Sequence, residues 1–250
     1  MPGTIGSPGL DYAENSGAIS AGVVDVTFST RQVGVCSWAN MISTAELHPH
    51  DLPTEGEVWY VSYGSNMSAS RLSCYLEGGC PPGGTRHNPG ARDPRPPRHS
   101  VGVELPGSVY FAGSSAQWGG GVAFYDHHTP GPAAARAYLV TAQQFADIAA
   151  QEMYRVPDPE DPIEAIVLGG LDPALDGRHH VGPGHYETLV EVGVVAGAPM
   201  LTFTAPHGRD HVDHTVPSEP YLAMLGEGLR EAHGWDDEQV GAYFADVVPS

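Results

Sequence analysis

Hydrophobic and polar positions divide the chain into short apolar runs separated by turns rich in glycine and proline. The clearest run, Val58-Trp59-Tyr60-Val61-Ser62, is rich in β-branched and aromatic residues and predicts a strand. It leads into Tyr63-Gly64-Ser65-Asn66, and a helical pattern opens at Ser68. Because Gly64 and Asn66 tolerate positive φ angles, a tight loop is expected, with backbone N–H groups free to bind an anion or oxyanion. An ordinary strand–turn–helix corner is the alternative.

Closely spaced apolar runs further along the chain predict a sheet. The first helix carries Leu72, Tyr75 and Leu76 on one face, and residues 80–99 then form a proline-rich loop, either a lid over a site or a disordered stretch. The predicted strands that follow are Ser100–Leu105, Ser108–Gly113, Trp118–Tyr125, Ala135–Val140, Tyr186–Val195 and Met200–Thr204. The run Ile163–Leu168 is predicted to be an inserted strand or part of a flap.

The segment Thr141–Tyr154 carries the clearest helix signal. Thr141 and Gln144 form a capping-box pattern at its start. The apolar positions that follow at helical spacing are Phe145, Ile148 and Ala149. The next position on that inward face is Glu152, where the pattern calls for a hydrophobic residue.

An inward-facing carboxyl at the end of a helix has a predictable chemistry. Partial burial and the negative end of the helix dipole both disfavour the anion, so the pKa of Glu152 is expected to be raised. A carboxyl that titrates nearer neutrality suits general acid/base catalysis. The alternative is a frayed helix end that turns this side chain towards solvent.

Two amphipathic helices are predicted near the C-terminal end. Ser218 is the expected N-cap of the first helix, and Asp236 with Gln239 caps the second. Together with the strands, these helices indicate an α+β fold with a small mixed or antiparallel, barrel-like sheet flanked by helices.

Length and composition limit the classes of protein and partner. The 250 residues carry a formal net charge of −19, which argues against nucleic acid or an anionic membrane as the partner. One domain is expected over residues 56–250, with residues 1–55 as an extension that is partly disordered or adds an edge strand. Without a leader pattern or a run of about 20 apolar residues, the expectation is a soluble cytoplasmic protein.

Cysteine and histidine positions give no firm metal signal. The three cysteines, Cys36, Cys74 and Cys80, fit no ligand spacing, and their odd count suits a reducing compartment. The His48-Pro49-His50-Asp51 segment and a loop with several His and Asp residues are the fragments worth weighing. That loop contains His207, Asp210, His211, Asp213 and His214. Neither spacing matches an established zinc motif, so solvated loops are favoured.

The order of these features resembles the γ-glutamylcyclotransferase superfamily, from Val58 to about Phe244. The motifs that carry the resemblance are the Tyr63-Gly64-Ser65-Asn66 loop, Trp118-Gly119-Gly120-Gly121-Val122-Ala123, the helix ending Gln151-Glu152, a strand bearing Tyr186, and Pro217-Ser218 ahead of Tyr221. The resemblance implies an enzyme that releases 5-oxoproline and a free amine from a small-molecule γ-glutamyl substrate, without cofactor or metal. A homodimer is compatible with it.

The resemblance also implies site residues. Glu152 is the expected general acid/base, Tyr186 is the expected pocket tyrosine, and Tyr221 is expected to close over the substrate. The substrate-binding strand and loop comprise Tyr60, Val61, Ser62, Tyr63, Gly64, Ser65 and Asn66. Insertions near residues 80–99 and 155–185, together with the N-terminal extension, depart from compact family members, so the identity of the leaving amine is left open.

Three alternative functions fit the same residues. A serine hydrolase using Ser65 ranks low, because its flanks differ from Gly-x-Ser-x-Gly and no His and Asp partners stand out. A non-catalytic small-molecule binder would have no need of Glu152. A related acyl-transfer or amide-cleaving enzyme of specialised metabolism remains compatible with the pattern.

Overall fold

The protein has an α+β fold in a computed structural model that describes residues 26–27, 51–81, 84, 86–172 and 177–249. The described strands are β1 (Val26–Thr27), β2 (Glu57–Ser62), β3 (His99–Pro106), β4 (Ser108–Ala112), β5 (Val122–Asp126), β6 (Pro132–Thr141), β7 (Arg178–His180), β8 (Thr188–Val195) and β9 (Ala198–Thr204). The described α-helices are α1 (Ala69–Leu76), α2 (Ala142–Glu152), α3 (Ile163–Gly169), α4 (Glu219–His233) and α5 (Asp237–Val247).

Most strands belong to one mixed sheet with β2 near its middle. The strand order is β1-β8-β9-β2-β6-β3, and β7 pairs with β8. The β2 strand runs antiparallel to β6 and parallel to β9. Its residues alternate between two cores: Trp59 and Val61 pack on one side of the sheet, Val58 and Tyr60 on the other. The loop of residues 63–68, called the site loop below, therefore directly follows a strand that is buried on both faces.

A second sheet, the β4–β5 hairpin, folds back over the first. Its strands pair antiparallel, and β5 meets β9 through Thr204, whose hydroxyl accepts from Tyr125 N at 3.0 Å and donates to Tyr125 O at 2.8 Å. The β3 strand leads directly into this hairpin, so the small sheet follows the edge strand of the large one. The predicted α+β class, with a mixed sheet flanked by helices, is confirmed.

The predicted helix caps are confirmed. Thr141 and Gln144 form a complete capping box at α2, and Asp236 and Gln239 do the same at α5. Ser218 caps α4 by accepting from the Tyr221 backbone N–H at 3.4 Å. Local sequence was sufficient here because each cap satisfies N–H groups that the first helical turn leaves free.

Of the two alternatives for Ile163–Leu168, the inserted strand is wrong, since these residues lie in helix α3, and the flap stays a prediction. Ile163 and Val167 are one helical turn apart, and both are buried in the core that also receives α2. The sequence pattern of this short apolar run fits either a strand or a helix, so packing against α2 decides its conformation.

Two predicted strands begin later than expected. The strand expected at Trp118 starts at Val122, because Gly119 (φ 72°) and Gly120 (φ 65°) adopt left-handed conformations that a strand cannot use. Tyr186 lies before β8, which starts at Thr188.

The segments flagged as insertions or extensions are described in part. Val26 and Thr27 add a short strand at the sheet edge by pairing with β8, which agrees with the edge-strand alternative at those two residues. The segment His48–His50 lies outside the described residues, and the domain boundary at residue 55 stays a prediction. In the described part of the 80–99 loop, Arg92 forms ion pairs of 2.8 Å with both Asp147 and Glu164, which joins the loop to α2 and α3.

Within the described ranges, no helix is both long enough and apolar enough to span a bilayer.

Helix α4 lies directly against the site loop, and Gly228 makes this close approach possible. A Cβ built on Gly228 would lie 2.5 Å from Met67 Cβ and 2.7 Å from Ser68 N. Any side chain at this position must therefore push α4 away from the loop.

Gly228→Ala is expected to lower the free energy of unfolding by about 1–3 kcal/mol, because the new methyl group overlaps the loop backbone. Gly241→Ala is the matched control: Gly241 lies in α5, and a Cβ built on it would have nothing within 4 Å, so this change should raise stability by up to about 1 kcal/mol. Urea unfolding of both variants checks the contrast. Equal effects would show that α4 does not press on the loop.

Candidate active site

The loop after β2 and the C-terminal end of α2 meet at one pocket. Asn66 lies in a short 3₁₀ turn, Ser65–Met67, and its Nδ2 donates a hydrogen bond of 2.8 Å to Glu152 Oε1. The same nitrogen lies 3.1 Å from the Tyr60 hydroxyl, which accepts from it. Two features that lie 86 positions apart in the sequence are therefore in direct contact.

Burial dominates the electrostatics of Glu152. Its pKa is raised above 4.5 by desolvation, and this outweighs the opposing effects of the Arg71 charge, a hydrogen bond from Tyr75 and the hydrogen bond from Asn66. Phe145, Ile148 and Ala149 are fully buried, as the helical spacing predicted, so the side chain that follows them enters the pocket and not bulk solvent.

The loop presents backbone donors, though not through the expected geometry. Gly64 has a φ of −111°, so the expected positive φ at this residue is wrong. A Cβ at Gly64 would lie 3.6 Å from the Tyr221 hydroxyl, so a larger side chain would extend into the space between loop and tyrosine. Among the hydrogen bonds of the described residues, none uses the N–H groups of Gly64, Ser65 or Asn66.

Polar side chains of the neighbouring strand bind the carbonyl groups of the loop. The Tyr138 hydroxyl lies 2.8 Å from both Asn66 O and Met67 O, and Arg136 Nη1 donates to Met67 O at 2.9 Å. Since Tyr138 and Arg136 lie on β6, the neighbour of β2, the sheet fixes the position of the loop carbonyl groups. The loop residues Gly64, Ser65 and Asn66 themselves line the pocket.

The two predicted tyrosines border the same pocket. Tyr186 donates to Ala123 O at 2.9 Å, and the Tyr221 hydroxyl accepts from Ala123 N at 3.4 Å. Burial raises the pKa of both phenols, so they stay protonated and can act as hydrogen-bond donors. Trp118 stacks on Tyr221 with an interplanar angle of 22°.

All the residues proposed from the sequence lie in the lining of this pocket. They are Tyr60, Val61, Ser62, Tyr63, Gly64, Ser65, Asn66, Glu152, Tyr186 and Tyr221. The side chains of Val61 and Tyr63 belong mainly to the core, where Tyr63 donates to Phe203 O at 2.7 Å. Their role is to support the loop, and the free pocket surface comes from other members of the set.

Other pocket residues escaped the sequence reasoning. Arg71, Tyr75, Arg86, Asn88 and Tyr154 also line the pocket. The sequence did carry a signal for Arg71 and Tyr75. Arg71 is a basic residue four positions before Tyr75, so it lies on the same, otherwise apolar face of α1. Arg86 and Asn88 come from the 80–99 loop, whose path no local pattern reveals.

Tyr154 stands at the pocket in an unusual backbone conformation. Its φ is 62°, in the left-handed region where glycine normally ends a helix. The Arg86 guanidinium stacks on its ring at 4.1 Å, and His185 meets it edge to face. Strain of this kind persists only where surrounding contacts maintain it, and here it places an aromatic ring two residues after Glu152.

The His/Asp loop weighed as a metal site has other contacts. His207 Nδ1 lies 3.0 Å from the Tyr110 hydroxyl, and His214 Nε2 lies 3.1 Å from Arg209 O. Within the part of the chain that the structure describes, no three His, Cys, Asp or Glu residues are placed to hold one metal ion.

Ser65 has no catalytic partner in its surroundings. No described histidine forms a hydrogen bond with its hydroxyl, and His185, the histidine in the pocket lining, contacts Tyr154 instead. A serine triad needs a base within hydrogen-bond distance of the nucleophile.

Comparison with known proteins gives distant similarities. No family model matches the chain. Histone deacetylase 5 of Arabidopsis thaliana is 29% identical over 206 residues, which is 77% of this chain but 31% of that protein, so the chain spans about a third of its length. Among solved structures, a gamma-glutamyl cyclotransferase is similar at 13% identity and a TM-score of 0.46, covering 78% of this chain and 89% of the other. An uncharacterized protein from Homo sapiens is similar at 16% identity and a TM-score of 0.47, with coverages of 78% and 90%.

Glu152→Gln is expected to change the pH dependence of stability. Because the folded pKa is raised, the folded state binds more protons than the unfolded state between pH 4.5 and that raised value. Wild-type stability should therefore fall as pH rises through this window, and the variant should lack this loss. Urea unfolding from about pH 4 to 8 measures the difference, and parallel pH profiles would contradict it.

Proposed function

We propose that the protein is a γ-glutamylcyclotransferase-type enzyme that cleaves a γ-glutamyl amide by intramolecular aminolysis. The observation that carries the proposal is the partly buried Glu152 carboxyl, held at 2.8 Å by Asn66 of a loop whose N–H groups at residues 64–66 make no hydrogen bond within the described residues. A proton-transfer group and an anion-binding group thus share one pocket, as acyl transfer requires.

The reaction needs no protein nucleophile. The free α-amine of the γ-glutamyl group attacks its own γ-carbonyl carbon, the C–N bond to the leaving amine breaks, and 5-oxoproline forms as a five-membered lactam. Holding the chain folded back brings amine and carbonyl into near contact, which gives a large effective molarity. The pocket aromatic residues, with Tyr186 and Trp118 among them, supply walls that favour such a compact conformer.

Glu152 carries the proton in this scheme. As a carboxylate it takes a proton from the α-ammonium group, and as the acid it delivers that proton to the departing nitrogen. The attacking nitrogen gives up its second proton as the lactam forms, and the released amine takes up one proton to leave as an ammonium ion. A pKa raised by burial brings the two forms closer in energy near neutral pH, so both half-steps are accessible. Asn66 keeps the carboxyl oriented by donating to Oε1 at 2.8 Å.

The loop stabilises charge on the substrate oxygen. As the amine adds, negative charge develops on the γ-carbonyl oxygen, and the N–H groups of Gly64, Ser65 and Asn66 are the available backbone donors. Fixing the loop carbonyls on Tyr138 and Arg136 keeps these donors preorganised, so little reorganisation accompanies the reaction.

Glu152→Gln is expected to reduce kcat by about 100- to 10,000-fold, because the amide has the shape of the carboxyl but cannot accept the proton. The assay is 5-oxoproline release from a panel of γ-glutamyl amines, γ-glutamyl amino acids and glutathione, followed by mass spectrometry. Glu160→Gln is the matched control, since Glu160 is exposed in the segment after α2, and it should leave kcat unchanged. Comparable 5-oxoproline release by Glu152→Gln and wild type would refute the assignment.

Ser65→Ala separates this mechanism from a serine hydrolase. The alanine retains the backbone N–H, so kcat should change by less than about 3-fold. Complete loss of activity in this variant would favour a Ser65 nucleophile.

A further inference from the structure

Arg71 is a buried cation with hydrogen-bonding capacity left unused. It lies on α1 in the pocket lining and is 4% exposed. Its Nη2 donates to the Tyr75 hydroxyl at 2.6 Å, but Nε and Nη1 have no hydrogen-bond partner within the described residues. Buried N–H groups of a guanidinium are costly to leave unpaired, so this arrangement suits a partner that arrives with the ligand.

A second side chain in the same lining shares this property. Asn88 is 6% exposed, and its Nδ2 likewise has no hydrogen-bond partner among the described residues. The donor atoms come from two elements, α1 and the loop of residues 80–99, which converge on the pocket. Both side chains offer donors, so the complementary ligand group is an acceptor.

The charge of the pocket is opposite to that of the chain. The full sequence has a formal charge of −19, yet Glu152 is the one acidic residue in the described lining, beside Arg71 and Arg86. Arg71 forms no ion pair with a carboxylate of the described residues, whereas Arg92, Arg136 and Arg230 each do. An anionic ligand group would complete the environment of Arg71.

We propose that Arg71 and Asn88 form a carboxylate subsite, which binds the carboxylate next to the reacting amine of the ligand. The inference rests on the proposed function and deepens it. The Tyr75 hydroxyl accepts from Arg71 at 2.6 Å, and both residues line the pocket beside Glu152, whose pKa the Arg71 charge lowers. A carboxylate held by Arg71 therefore brings the amine on the same carbon close to Glu152. The loop N–H groups are then left for the γ-carbonyl oxygen.

The test compares binding of 5-oxoproline with that of 2-pyrrolidinone, the same ring without the carboxylate, by isothermal titration calorimetry at neutral pH. Wild type should bind 5-oxoproline about 10- to 100-fold more tightly, the range expected for hydrogen bonds between charged groups. Arg71→Met should remove this preference while leaving 2-pyrrolidinone binding unchanged. The variant is expected to fold, because methionine fills the site without an unpaired charge.

Two further variants identify the residue responsible. Arg86→Met should keep the preference, and Arg230→Met, which lies outside the pocket lining, should match wild type. Equal binding of the two rings by wild type, failure to bind 5-oxoproline, or loss of the preference in Arg86→Met but not Arg71→Met would each overturn the subsite.

Turnover measurements keep the two proposals apart. If wild type releases 5-oxoproline but the preference survives in Arg71→Met, the subsite is wrong and the function stands. If Arg71→Met loses the preference but wild type releases no 5-oxoproline from any γ-glutamyl compound, the subsite stands and the function is wrong.

Discussion

The hydrogen bond from Asn66 to Glu152 is the contact on which the site depends. It joins the loop after the central strand to the end of α2, and each partner is fixed from its own side. Tyr138 holds the carbonyl group of Asn66, and α4 closes on the loop through Gly228. Gln151, beside Glu152, donates to the backbone of α1 at Tyr75 O (2.9 Å). The partly buried Glu152 carboxyl thus gains a defined orientation, and within the described residues it forms no ion pair that would hold it permanently charged.

Around this contact, the protein keeps a small cationic pocket in an acidic chain. Desolvation and the positive charge of Arg71 act on the pKa of Glu152 in opposite directions, and desolvation prevails. The pocket then has one proton-transfer group, one buried cation and a row of backbone donors among its described residues. In the proposed reaction, these three groups would serve the proton, the carboxylate and the developing oxyanion of a folded γ-glutamyl group, and we therefore favour cyclisation over hydrolysis at Ser65.

Local signals in the sequence predicted the helices with strong caps and the face of α2 that carries Glu152. They failed where distant contacts decide the structure. The run at Ile163 became a helix because α2 offers it a partner, and Gly64 has an extended backbone in place of the expected positive φ. Arg71 went unnoticed because its significance lies in two unpaired nitrogens, a property that only the assembled pocket creates.

The origin of the oxygen atoms in the product tests the central claim most directly. Turnover of a γ-glutamyl substrate in ¹⁸O-labelled water should give 5-oxoproline that contains no ¹⁸O, because the attacking atom is the substrate's own nitrogen and the carbonyl oxygen is retained. Glutamate carrying ¹⁸O in its γ-carboxyl group as the primary product would contradict intramolecular aminolysis and indicate attack by water.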